Sequence, residues 1–162
     1  MSASLKGIRV LEMAQIMAGP TCGLLLADLG AEVIKIEKTP SGDDTRNFLP
    51  PEINGESAAF MMMNRNKKGI ALNLKDKDGI EIFKTMVKNS DVVLENFRKG
   101  TLEKLGVGYD VLSEINPKII LCEISGSGRT GPYAEKGGFD LVAQGMSGLM
   151  SITGESADKP PM

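Results

Sequence analysis

The sequence predicts an α/β domain built on a parallel sheet with flanking helices, and three observations carry that prediction. Between Gly7 and Glu37 the chain reads as strand, tight loop, short helix and second strand, one complete βαβ unit. Beyond it, apolar strand-like runs continue to alternate with helix-like segments as far as Ile124, the pattern of a parallel sheet crossed by helices. The strand runs are nearly continuous in apolar residues, as expected of strands covered on both faces.

Ile8, Val10 and Leu11 supply the first strand. Pro20 stands where a helix begins without losing a hydrogen bond, Leu24, Leu25 and Leu26 form the helix body, and Gly30 is suited to a left-handed cap. Residues 31–37 alternate into the second strand. Ser57 to Met63 is a short helix candidate, and Gly69 to Leu74 alternates as a half-buried strand. From Asp76, Ile80, Phe83 and Val87 share one helical face, with Asp78 in the first turn and Lys84 and Lys88 toward the end, as the helix dipole favours. Asp91 to Glu95 is the next strand. Short helices at 101–105 and 110–115 follow, the latter stopping before Asn116-Pro117, and Lys118 to Ile124 is the last strand. Ser125 to Gly138, rich in Gly and Ser, is a long loop, after which Asp140 is placed to cap a final helix carrying Leu141, Val142, Met146 and Leu149.

Composition bounds the function. The 162 residues are enough for one domain with a core, and 41% apolar with 25% charged residues gives no reason to expect disorder. A net charge of −2 argues against general nucleic-acid binding, so any anion site must be local. There is no histidine, which excludes Ser-His and Cys-His nucleophile systems and histidine metal sites. Cys22 and Cys122 have neither metal spacing nor a disulfide framework, although the pair could meet in the fold. No run is long enough to span a membrane and no targeting segment leads the chain, so a soluble, cytoplasmic protein without membrane or nucleic-acid partners is expected.

In open parallel sheets ligands bind at the carboxyl ends of the strands, which brings Gln15 to Gly19 and Glu37-Lys38 to one opening and suggests a nucleotide-sized ligand. The loop has one glycine where a dinucleotide fingerprint needs three, so NAD is the weaker option. It offers close backbone approach at Ala18-Gly19 and the Gln15 carboxamide. Lys38, Arg46, Arg65, Lys67, Arg98, Lys99 and Lys104 gather after strands or at helix starts, a placement that suits phosphates or simply a solvated edge. Phe97 suits stacking on a base or filling the core. The Met61-Met62-Met63 run suits adaptable packing.

Several segments occur in the order and spacing of one family. They are Leu5 to Leu11, Ala18-Gly19-Pro20, Asp28 to Glu37, Gly42-Asp43-Asp44-Thr45-Arg46, Asn64 to Lys68, Val93 to Phe97 and Gly131-Pro132-Tyr133. Together they resemble the class III coenzyme A transferases, which include formyl-CoA:oxalate, carnitine and dicarboxylic acyl-CoA transferases and related racemases. The resemblance implies that residues 1–162 are the N-terminal portion of a Rossmann-like, CoA-binding large domain, incomplete, with the small domain and C-terminal part absent. It implies coenzyme A or acyl-CoA as substrate, a carboxylic acid as the second substrate, no tightly bound cofactor, no metal, and an interlocked homodimer for the full-length protein.

By position in that family, the CoA site draws on Met17, Ala18, Lys38, Leu72, Asn73, Leu74, Lys75, Asn96, Phe97, Arg98, Lys104, Lys136, Gly137, Gly138 and Phe139. The resemblance also implies an aspartate nucleophile, carrying first an acyl anhydride and then an aspartyl-CoA thioester, that falls beyond Met162. Three departures stand out. Met17 replaces a glutamine of formyl-CoA transferases, leaving Gln15 as candidate helper. Lys38 and Lys104 replace arginines, keeping charge without the bidentate fork. Phe139 replaces the histidine of the racemase branch, which argues against racemisation. The alternative is a non-catalytic module that binds CoA or another adenine nucleotide.

Overall fold

The computed structural model describes residues 3–156 and 158–161. They fall into two compact units, one ending at Ile124 and one starting at Ser125, and each is described by itself.

The first unit runs β1 (Arg9–Glu12), α1 (Ala18–Asp28), β2 (Glu32–Glu37), a 3-10 turn (Asp44–Asn47), β3 (Glu52–Ile53), β4 (Glu56–Ser57), α2 (Ala58–Asn64) and β5 (Lys68–Ala71). It continues through α3 (Lys77–Val87), β6 (Val92–Glu95), α4 (Thr101–Lys104), α5 (Tyr109–Ile115) and β7 (Ile120–Glu123). Five of these strands form one sheet in the order β5-β2-β1-β6-β7, and every neighbouring pair is parallel. Counting only those strands, the order is 3-2-1-4-5, the doubly wound arrangement that reverses direction at β1.

The two-residue period of the strands divides the core. Val10 and Leu94 join Ala14, Ala27, Ala31 and Val33 on the α1 side. Their chain neighbours Leu11 and Val93 join Phe83, Val87, Leu112 and others on the α3 and α5 side. Val10, Leu11, Val93 and Leu94 are all 0% exposed, so the two central strands are covered on both faces and a charged residue there needs an internal partner.

Helix α1 begins as expected. Pro20 is its third residue, one of the first-turn positions whose N–H lacks an intrahelical acceptor. It ends in a Schellman turn: Gly30 takes φ +98°, its N–H donates to the Ala27 carbonyl at 2.9 Å, and the Ala31 N–H donates to Leu26 at 3.0 Å. Helix α3 is capped by Asp76, whose side chain accepts from the Asp78 N–H at 2.9 Å, and it buries Phe83 and Val87.

Three local details differ from the sequence reading. Ser57 is the N-cap of α2 rather than its first turn, accepting from the Phe60 N–H at 3.3 Å. The strand expected over 69–74 covers Lys68–Ala71; Leu72 adds one more bond, its N–H to the Glu37 carbonyl at 2.8 Å, and the chain then turns at Asn73. The β3–β4 hairpin was not expected, although its Asn54-Gly55 turn, with φ +53° and +81°, is the residue pair that a two-residue hairpin turn favours.

The second unit contains α6 (Asp140–Met146) and a 3-10 turn (Leu149–Ile152). Phe139, not Asp140, occupies the N-cap position of α6. Asp140 is the first helical residue and accepts from Gln144 one turn on, so its carboxylate does not cap the helix. Leu141, Val142 and Met146 are 70%, 50% and 65% exposed. Among the described residues no helix is long and apolar enough to cross a membrane, and no three His, Cys, Asp or Glu side chains are grouped to hold a metal.

Candidate functional site

The strand order reverses at β1, and an open parallel sheet takes its ligand in the crevice outside the carboxyl ends of the strands at such a point, here β1 and β6. The loop leaving β1 carries Gln15, Ile16 and Met17, and the loop leaving β6 carries Asn96, Phe97 and Arg98. Asn96 joins them: its Oδ1 accepts from the Gln15 N–H and its Nδ2 donates to the Gln15 carbonyl, each at 2.8 Å. The Asn96 carboxamide is thus engaged with backbone. The Gln15 side chain is half-buried, while Met17 and Ala18 are exposed at the start of α1. Met17 is the N-cap residue and gives no side-chain hydrogen bond to the first turn, so the first amides of α1 have no side-chain cap.

Gly19 permits this close approach. A Cβ there would lie 2.2 Å from the Ala14 Cβ and 3.3 Å from the Asn96 Cγ. Ile16 has φ +66°, a left-handed conformation that costs a β-branched residue about 1–2 kcal/mol. Its N–H donates to both oxygens of Asp43, at 3.2 and 3.3 Å.

Beneath the loop is a chain of buried charges. Glu12, at the end of β1, is 0% exposed and stands opposite Lys35 of β2, which is 2% exposed. Lys35 Nζ reaches Glu12 Oε1 at 3.1 Å, Asp43 Oδ2 at 2.8 Å and the Ala14 carbonyl at 2.9 Å. Lys67 Nζ approaches Glu12 from the other side, 3.0 Å from Oε1 and 2.8 Å from Oε2, and donates to the Pro20 carbonyl at 2.9 Å and Asn64 Oδ1 at 3.1 Å. Gly23 leaves room for this group, since a Cβ there would fall 1.7 Å from Glu12 Oε2. Burial pushes the Asp43 carboxyl up, but hydrogen bonds from Lys35 and Thr45 outweigh it and hold the group below its ordinary value. Burial draws Lys67 below the ordinary lysine value, against the attraction of Glu12.

At the end of β2, Glu37 accepts a two-pronged pair from Arg46, Nε at 2.7 Å and the terminal nitrogen at 2.8 Å, and also the Asp43 N–H at 2.9 Å. The Arg46 fork holds the Glu37 carboxyl below the usual carboxylate range, and the guanidinium lies 3.7 Å above the Phe60 ring. A carboxylate at this place is what a dinucleotide ribose needs. Here it is spent on an arginine, in keeping with the missing glycine fingerprint.

The basic residues at the strand ends therefore divide. Arg46, Lys67 and Arg65, the last paired with Asp28 at 2.5 Å, are tied into the fold. Lys38 is about two-fifths exposed and bridges to Asp44 at 2.5 Å. Arg98 and Lys104 are exposed and pair with no carboxylate among the described residues. Leu72 is buried in the core and Leu74 packs against it, so that stretch offers a ligand mainly its backbone and the exposed Asn73 and Lys75; Asn73 Oδ1 accepts from the Lys75 N–H at 3.1 Å. Phe97 packs against the same core, and its N–H donates to Glu95. Lys136 to Phe139 lie in the second unit, where Lys136 Nζ sits 4.2 Å above the Tyr133 ring and Gly138 approaches Gly126 so closely that a Cβ would lie 2.6 Å from its Cα. The aspartate expected beyond Met162 lies outside the described residues.

Sequence reasoning did not single out Glu12, Lys35 or Asp43. A signal was present in the first two, a glutamate ending an apolar strand and a lysine between Ile34 and Ile36. Seeing that they meet requires the β1–β2 register.

Comparison with known proteins gives the family. The family model described as CoA-transferase family III matches residues 5–162. The chain is 47% identical over 156 residues to the succinyl-CoA:glutarate CoA-transferase of Mus musculus, covering 96% of this chain and 36% of that protein. It is 46% identical over 162 residues to the succinate–glutarate CoA-transferase of Agrobacterium fabrum, covering 96% and 40%. A crystal structure of a CAIB/BAIF family protein from Brucella suis superposes with a TM-score of 0.91 at 46% identity, over 98% of this chain and 42% of that one. The chain thus spans about two-fifths of the length of such relatives. On the family match, which runs over almost its whole length, this chain belongs to CoA-transferase family III.

Proposed function

We propose that the protein of which these 162 residues form the N-terminal portion moves coenzyme A from an acyl-CoA donor to a carboxylic acid, with succinyl-CoA and a dicarboxylate as the pair to try first. The observation that carries the reading is the family match over residues 5–162, and the names of the relatives supply the substrate class. In this reading a carboxylate nucleophile beyond Met162 attacks the thioester carbonyl and expels the CoA thiolate, giving a mixed anhydride. The thiolate then attacks the aspartyl carbonyl, releases the donor acid and leaves an aspartyl-CoA thioester. The acceptor carboxylate reverses both steps.

The crevice residues take definite parts. In this reading the Gln15 side chain and the α1 amides would hold developing negative charge on the thioester oxygen by fixed dipoles. Lys38, Arg98 and Lys104, on the exposed edge, suit the CoA phosphates, and Asn73 and Lys75 the neighbouring strand end. Lys136 to Phe139 belong to the CoA-binding residues that the family resemblance assigns, and the whole protein is read as a cytoplasmic, interlocked dimer.

The test uses the full-length protein carrying this chain, with succinyl-CoA and glutarate, following CoA esters by chromatography. The expected result is glutaryl-CoA formed in step with loss of succinyl-CoA, and a covalent CoA adduct on the protein when the acceptor is withheld. Tight CoA binding with no exchange across a panel of carboxylates would overturn transfer and leave the binding-module reading.

A further inference from the structure

The conformation of the loop after β1 is not set by its own sequence. Residues 13–18 contain no glycine, asparagine or aspartate to favour a turn, yet Ile16 stands at a left-handed φ. Three consecutive residues are instead held through their backbone by side chains from distant elements. Ala14 is held through its carbonyl by Lys35, Gln15 through both its polar groups by Asn96, and Ile16 through its N–H by Asp43. The first turn of α1, which follows the loop, is held as well, since Lys67 binds the Pro20 carbonyl.

These anchors are joined to one another. Asp43 binds Lys35, Lys35 binds Glu12, and Glu12 binds Lys67. Asp43 is further fixed by the Thr45 N–H at 2.9 Å and the Thr45 hydroxyl at 2.8 Å. A buried ion cluster is a poor source of stability, because packed apolar residues of the same volume often serve as well or better. Apolar residues cannot, however, grip backbone groups at positions 14, 16 and 20.

We propose that the buried Asp43–Lys35–Glu12–Lys67 chain is the positioning device of the acyl-CoA site, with Asp43 the positioning residue that holds Ile16 left-handed and so presents Gln15, Met17 and the Ala18 amide to the thioester. The proposal rests on the assignment of residues 15–18 to that site. None of the four charges needs to touch the ligand; each acts through the loop backbone. Preorganisation of this kind lowers the ordering cost of binding, so its loss appears as weaker binding without loss of a contact.

The test measures backbone hydrogen exchange by mass spectrometry, together with calorimetric titration of CoA, on the full-length protein. Asp43→Ala is expected to speed exchange across residues 13–20 about tenfold, leave β6 and α3 peptides unchanged and weaken CoA binding by about tenfold. Asp43→Asn, which keeps an acceptor for the Ile16 N–H, should recover much of both. Because Asp43→Ala takes one of two carboxylate partners from the buried Lys35 and can unfold the protein, Thr45→Val serves as the milder variant: it removes one hydrogen bond from Asp43 and should give the same local pattern at about threefold. Unchanged exchange over 13–20 in a folded variant, or an equal rise in every strand, would overturn the proposal. So would faster loop exchange with unaltered CoA affinity. Wild-type protein that binds no CoA would overturn the assignment of the site itself, a result distinguishable before any variant is made.

Discussion

Gly19 has no room for even a methyl group, with Ala14 on one side and Asn96 on the other. Gly19→Ala gains helix propensity of up to about 1 kcal/mol but must push two loops apart, an overpacking cost of about 1–3 kcal/mol. A net loss of stability in urea and weaker CoA binding are expected, checked by denaturation and titration of the same preparation. Lys38→Ala belongs to the same scale. Its charge is exposed and already shared with Asp44, so CoA affinity should fall only about two- to fivefold; unchanged affinity would remove Lys38 from the site. Ala18-Gly19-Pro20 was legible in the sequence because its reasons are local, a close approach and a helix start. The Glu12–Lys35 pair was not, because two residues on different strands become neighbours only through register.

At the scale of the element, the stops and starts are written in single residues. Gly30→Ala places a side chain at φ +98° and within 2.3 Å of the Ala3 Cβ, and should cost at least about 1–2 kcal/mol. Asp76→Ala removes the cap of α3 and should cost about 1 kcal/mol. Urea unfolding of each variant against the parent checks both. Helix ends of this kind, and the apolar strands between them, were readable from the chain. The β3–β4 hairpin escaped notice because Glu52, Ile53 and Glu56 lack the alternating apolar flanks that draw attention to an Asn-Gly turn. Asp140 was misread by one position: it follows the N-cap and reaches forward to Gln144 instead of back to the first-turn amides.

For the whole molecule, the internal carboxylates set the response to acid. Asp43 and Glu37 have folded values below their unfolded ones. Their contribution is present above the ordinary carboxylate range near pH 4 and is lost as pH falls through the lower folded values. Thermal stability should thus be nearly level from neutral pH to about pH 5 and fall steeply below about pH 4. Glu37→Gln should lower stability at neutral pH and flatten the acid limb, because one of the groups that must be protonated is gone. Melting temperatures of parent and variant from pH 3 to 8 check the sign; an acid limb of equal steepness in both would exclude Glu37 as a contributor.

The place of β1 at the middle of the sheet also has a consequence for synthesis. The Arg9 N–H donates to the Asp91 carboxylate 82 residues later, and Val10 pairs with Val92. Within this sheet β1 is made before the neighbour on its second edge and must wait for β6, roughly 4–16 s at ordinary elongation rates. During that interval one edge of the nascent β1 is open; α1 and β2 emerge early to cover Val10, whereas Leu11, wholly enclosed in the finished sheet, waits for Phe83 and Val87 of α3. A chaperone that favours short apolar stretches would find a stop there.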